Sequence, residues 1–236
     1  MRIAVHQPEF LPWLGFFDKM GRVDHYVVFD HVQFKKRYFE NRNRIRRGKE
    51  AVWISVPVKS KGRFEQPINA VEIDNSTAWR ERIWDTVRHA YARAPHFKNF
   101  AEEIQRLITG RPYERLMDFN LAWITWFRNH LKIETPMILS SELGVEAHKG
   151  SDLILAICRR LKADRYLCGP SGKDYLRLEN FTAAGVVVEW QNFHHPVYPQ
   201  LGEGFEPYLS CLDLILNCGP RSRDILFPPR QGEAHS

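Results

Sequence analysis

Hydrophobic positions along this chain fall into two patterns that take turns. Short segments with apolar centres at residues 3–5, 25–29, 136–141, 165–168 and 186–190 read as strands, with His25, Ser140, Ser141, Arg165 and Glu189 at or near their ends. Residues 51–58 form a further strand, dense in β-branched side chains, and residues 68–73 alternate apolar and polar at period two, which predicts an edge strand. The other pattern is helical. Trp79, Ile83, Trp84, Val87 and Tyr91 make one stripe over residues 78–94, with Asp74, Asn75, Ser76 and Thr77 offering N-caps. Phe100, Ile104, Leu107 and Ile108 make a second stripe over 98–109, and residues 113–131 carry a third, rich in tryptophan. A helix over 152–161 lies between two strands, which defines a right-handed βαβ unit and a parallel sheet. Short helices follow near 181–185 and 208–217. The expected architecture is one α/β domain over residues 1–230, Rossmann-like, with a helical insertion at about 76–132 and a frayed, disordered tail at 231–236.

Composition narrows the class. At 236 residues, 44% of them hydrophobic, the chain is long enough to bury a sizeable core. No apolar run approaches the ~20 residues that span a bilayer, so no membrane span is expected. The first residues lack the apolar core and cleavage site of a secretion signal, and the expected location is cytoplasmic. Cys158, Cys168, Cys211 and Cys218 have no paired C-x-x-C spacing and read as buried thiols. The net charge of +6 fits an anionic small substrate or a nucleic acid. Seven of the basic residues fall between Lys35 and Arg47.

Candidate chemistry gathers where strands end. His6 and Gln7 follow the first strand, and Pro8 and Pro12 prevent the sheet from continuing. Asp30 and Gln33 follow the second. In open α/β sheets ligands bind beyond the carboxyl ends of the strands. His6 is therefore the expected catalytic acid or base. Asp30 could orient it, position an amine or hold Mg²⁺, or only cap a turn. Arg37, Arg42 and Arg44 suit phosphate or carboxylate, and Asn41 and Asn43 suit amide or hydroxyl groups; in a strand, Asn41 and Asn43 share one face and Arg42 and Arg44 the other, so only one pair reaches the cleft. A glycine-bearing turn after a late strand offers Ser171, Gly172, Lys173 and Tyr175 as further binding residues, although its spacing is not that of a P-loop. His195 is expected to reach the cleft, under a loop at 196–200. No histidine or acidic cluster has metal-ligand spacing, and no metal is assigned.

His6-Gln7-Pro8 with Leu11-Pro12-Trp13-Leu14-Gly15, then Asp30-His31-Val32-Gln33-Phe34 and Asn41-Arg42-Asn43-Arg44-Ile45, resemble the WbqC-like family of bacterial proteins. Gly169-Pro170-Ser171-Gly172-Lys173, His195-Pro196 and Asn217-Cys218-Gly219 extend the resemblance over nearly the whole chain. The resemblance implies a role in surface-polysaccharide (O-antigen-type) or modified-sugar biosynthesis, without a settled reaction. The fold analogy closest to the element order is the adenylyltransferase/HUP-like group, in which a histidine after the first strand meets nucleotide phosphates. The leading expectation is a transferase acting on an amino-sugar nucleotide or similar anionic small molecule. Nucleotide-dependent activation of a carboxylate or phosphate is the alternative, with ATP or a nucleotide-sugar as the candidate cofactor. A basic nucleic-acid-binding module ranks last.

Overall fold

The computed structural model describes residues 1–228, and the expected frayed tail at 231–236 lies outside them. The apolar runs assemble one parallel sheet. Strand β1 (Arg2–His6) enters helix α1 (Leu14–Met20) and then β2 (His25–Val28), which pairs with β1 in parallel register from Ile3 opposite His25 to His6 opposite Val28. The next two strands, β3 (Arg42–Arg47) and β4 (Glu50–Ser55), form a separate antiparallel hairpin. Its turn uses Gly48 at φ 65°, where a side chain would be strained. Helices α2 (Trp79–Tyr91), α3 (Phe97–Thr109) and α4 (Leu116–His130) follow within a residue or three of the bounds their stripes predict. The chain then returns to the sheet with β5 (Met137–Leu139), α5 (Gly150–Arg160), β6 (Arg165–Cys168), α6 (Leu178–Ala183) and β7 (Val187–Trp190), and ends in α7 (Cys211–Cys218) and α8 (Ser222–Leu226).

The sheet order is β5-β2-β1-β6-β7, all neighbours parallel. Counted within the sheet this is third, second, first, fourth, fifth, the doubly wound Rossmann-like order, whose direction reverses between β1 and β6. Alternation along β1 sends Ala4 to the layer containing α1, α4 and α7, and Ile3 and Val5 to the layer containing α5. The central strands β1 and β2 are covered on both faces and read as nearly continuous apolar runs, whereas the edge strands β5 and β7 are only partly covered.

The strand expected over residues 51–58 is present as β4, outside the main sheet and paired only with β3. One expectation changes: residues 68–73 do not form an edge strand. Pro67 brings in a 3₁₀ turn at Ile68–Ala70, and the amides of Ile68 and Asn69 donate to the carbonyls of Val32 and Asp30. All four cysteines are buried free thiols. Among the described residues, no helix is long and apolar enough to cross a membrane.

Helix α4 positions the segment after β1. Its Phe119 stacks on Phe10, its Phe127 meets Phe17 of α1, and its Asn120 donates to the carbonyls of Pro8 and Glu40 at 2.9 and 2.8 Å. Helix α1 is buried along its whole length, charged residues included.

Candidate functional site

A cavity of about 810 Å³ opens where the sheet order reverses, between the carboxyl ends of β1 and β6. The β1 end contributes His6, Gln7 and Glu9, and the β6 end contributes Cys168, Gly169, Pro170, Ser171 and Gly172. Trp13, Tyr38, Phe39 and Tyr208 supply aromatic walls, while Lys19, Lys35 and Arg44 bring positive charge. The size suits a drug-sized or nucleotide-sized ligand.

Two glycines shape the walls. The indole of Trp13 folds back over Gly15 so closely that a Cβ there would stand 2.2 Å from the ring. At Gly172 a Cβ would meet Cys168 Sγ at 2.1 Å, so this glycine lets the turn close onto β6. Burial keeps the Cys168 thiol above its ordinary range, and it lines the cavity as a thiol.

The polar centre is His6 with Glu9. His6 Nδ1 donates to the carbonyl of Gln7 at 3.1 Å, which fixes the tautomer and leaves Nε2 as a lone pair, 3.8 Å from Glu9 Oε1. Burial, and then the neighbouring Lys19, push His6 down to about 3, so the ring is neutral near pH 7. Burial, and then repulsion from Glu40, push Glu9 up to about 8, and burial carries Glu40 to about 7. Glu9 Oε2 and both Glu40 carboxyl oxygens have no hydrogen-bond partner among the described residues. The centre thus holds a neutral imidazole beside two buried carboxyls that resist ionising. Behind it Lys19 is 4% exposed, and burial lowers its ammonium from the ordinary lysine range against the pull of Cys168, Glu9 and Asp18.

Of the residues singled out from sequence, His6, Gln7, Gln33, Ser171, Gly172 and Tyr175 line this one cavity. The others are directed elsewhere, for identifiable reasons. Asp30 is saturated: it accepts from the Ser140 and Ser141 hydroxyls, the Ser141 amide and Asn69, and pins the end of β2 to the end of β5. Burial raises that carboxyl, the four bonds outweigh it, and its net shift is downward. None of these bonds reaches His6, whose ring is oriented by its own neighbour's carbonyl. Asn41 donates to the Val56 carbonyl, and Asn43, fully buried, donates to the carbonyls of Phe10 and Leu11. Strand alternation does separate the arginines from these amides: Arg44 lines the cavity, whereas Arg42 stacks on Trp53 at 4.2 Å. Arg37 is exposed at φ 61°, and Lys173 lies over the Trp190 ring at 5.5 Å. His195 sits one layer behind the wall, 5.2 Å from the Tyr208 ring.

Glu9 and Lys19 were not among the residues singled out. The signal for Glu9 is a lone acid between Pro8 and Phe10-Leu11. Lys19 gave less, since a lysine at the end of a short helix ordinarily meets the helix dipole in solvent.

Fold and site together define a Rossmann-like α/β protein with a polar, aromatic-walled cavity at its switch point. Residues 7–225 match the WbqC-like protein family, and the chain belongs to it. The chain is also 32% identical over 231 residues to Rv1507c of Mycobacterium tuberculosis, an uncharacterized protein, covering 98% of this chain and 99% of the relative. No solved structure matches the chain significantly.

Proposed function

We propose that this protein is a transferase that moves an activated group onto an amine of an amino-sugar nucleotide or similar anionic small molecule, in the biosynthesis of a surface polysaccharide. The observation that carries this reading is the His6–Glu9 pair, 3.8 Å apart and facing an 810 Å³ cavity with aromatic walls. His6 Nε2 is the free lone pair, so it takes the proton of the attacking amine as the new bond to the transferred group forms and the donor's leaving group departs. Glu9, a carboxylic acid at neutral pH, returns a proton to the leaving group. The Gln7 carbonyl orients His6, in place of Asp30. The aromatic walls hold a base or sugar ring, and Lys35 and Arg44 add positive potential for an anionic substrate.

A thermal-shift panel of UDP- and dTDP-amino sugars, acyl-CoA donors and ATP with Mg²⁺ identifies the ligand class, because a ligand of the native state raises Tm by mass action. With the responding pair, His6→Gln is expected to lower kcat by about 10²–10⁴, the usual contribution of a general base. Full turnover in that variant would sink the reading. The doubly wound order, with its crevice at β1 and β6, supports a second reading, nucleotide-dependent activation of a carboxylate or phosphate. A Tm response to ATP alone, with release of pyrophosphate, selects it.

A further inference from the structure

Lys19 carries the one cavity-lining ammonium that is buried, since Lys35, the other lysine lining the cavity, is exposed. Among the described residues Lys19 takes part in no ion pair and no side-chain hydrogen bond, and the neighbouring Cys168, held as a thiol by burial, brings no full counter-charge. Its chain neighbour Asp18 is already committed, accepting from Arg22 Nε at 2.6 Å and from Gln191 Nε2 at 2.9 Å. Glu9 holds a proton through neutral pH and supplies no full counter-charge. An amine taken from water and left without a partner destabilises a fold. Here it is also given room. Gly169 packs against it without a side chain, and a Cβ at that position would stand 3.2 Å from Lys19 Nζ. Gly169 has an ordinary φ of −72°, so the backbone itself does not demand glycine; a methyl there would instead crowd the amine and shift it by a few tenths of an ångström. Directly after it, the 3₁₀ turn Pro170–Asp174 places Ser171 and Gly172 on the same cavity wall.

We infer that Lys19, with the Gly169 to Gly172 turn, forms an oxyanion subsite that receives a phosphate or carboxylate of the substrate. The ligand's anion supplies the counter-charge that the protein withholds, and the Ser171 hydroxyl is the side-chain donor on the adjoining turn. The inference rests on the reading of this cavity as a site for an anionic small molecule and locates that anion on the β6 side. It is independent of whether His6 acts as a base.

The test is binding, not turnover. The full chain is titrated calorimetrically with inorganic pyrophosphate and, separately, with malonate at constant ionic strength, which distinguishes a phosphate-bearing from a carboxylate-bearing ligand. Wild type is expected to bind at least one of them, and Lys19→Met to weaken that binding at least about tenfold, as loss of a charge-assisted bond does. Without ligand, Lys19→Met is expected to melt no lower than wild type, because an apolar side chain of similar length relieves the buried amine. Gly169→Ala displaces the amine without removing it and is expected to weaken binding several-fold. The inference is overturned if wild type binds neither anion, if Lys19→Met binds like wild type, or if ligand-free Lys19→Met melts lower. His6→Gln separates this inference from the transferase reading: it is expected to retain pyrophosphate or malonate binding even where turnover is lost.

Discussion

Asn43 Nδ2 donates to the Leu11 carbonyl at 2.8 Å, and this bond ties the β3–β4 hairpin to the segment that carries Glu9 and Trp13. Leu11 sits at φ 46°, a left-handed conformation that a branched side chain adopts only where its surroundings impose it. The same amide also donates to the Phe10 carbonyl, so both of its N–H groups serve the loop, while its Oδ1 accepts from the Arg44 amide within the hairpin.

Asn43→Ala leaves two carbonyls without their donor and releases the strained Leu11. Urea denaturation is expected to show a loss of about 1–3 kcal/mol, the range for an unsatisfied buried polar group. A change under about 0.5 kcal/mol, the scatter of surface substitutions, would count against the pinning role.

Gly15→Ala tests the wall. Gly15 is helical, and alanine there would by propensity stabilise by about 1 kcal/mol. The Trp13 indole occupies the space of the new methyl, however, and must swing away. The expected outcome is net destabilisation with altered tryptophan emission and weaker ligand binding. A stabilised variant with unchanged emission would refute the contact.

The buried acids set a pH dependence whose sign follows from the direction of their shifts. Glu9 and Glu40 are raised above 4.5, to about 8 and about 7, so the folded state holds more protons than the unfolded state across that window. Their contribution therefore falls as pH rises from about 4.5 to about 8. His6 works oppositely: with its value lowered from 6.5 to about 3, it makes stability rise with pH between those limits. Glu9→Gln and Glu40→Gln are each expected to gain stability relative to wild type at pH 8 over pH 5. Urea melts at both pH values check this, and an equal difference at the two would contradict the raised values.

Much of the fold was legible because the central strands are covered on both faces, so β1, β2 and the last three residues of β6 read as short apolar runs. The stripes of α2, α3 and α4 were equally readable, each burying one face. The hairpin was harder. Arg46 looks like one more charge in a basic run, yet it is 3% exposed, bonded to Gln200 and to the carbonyls of Gly204 and Gly48. Those first two partners lie more than 150 residues downstream, and nothing local announces them. The alternation at 68–73 misled because Pro67 and the carbonyls of Val32 and Asp30, not a neighbouring strand, decide that backbone. At the site, residues next to strand ends could be anticipated from chain order alone. The burial of Lys19 could not, since it depends on the turn after β6, whose Gly169 closes against the amine from about 150 residues downstream.

The loop after β1 is held by Asn43 from the hairpin, by Asn120 from α4, and by the Cys211 amide, which donates to the Pro12 carbonyl at 2.8 Å. Each tether spans a different stretch of chain, up to nearly its full length, and closing such long loops is slow compared with forming the local helices. Ligand-binding competence should consequently appear only in the last kinetic phase of refolding, after most helical signal has returned. The cavity reports that the entire polypeptide has found its place, and a half-assembled chain has nothing with which to hold a substrate.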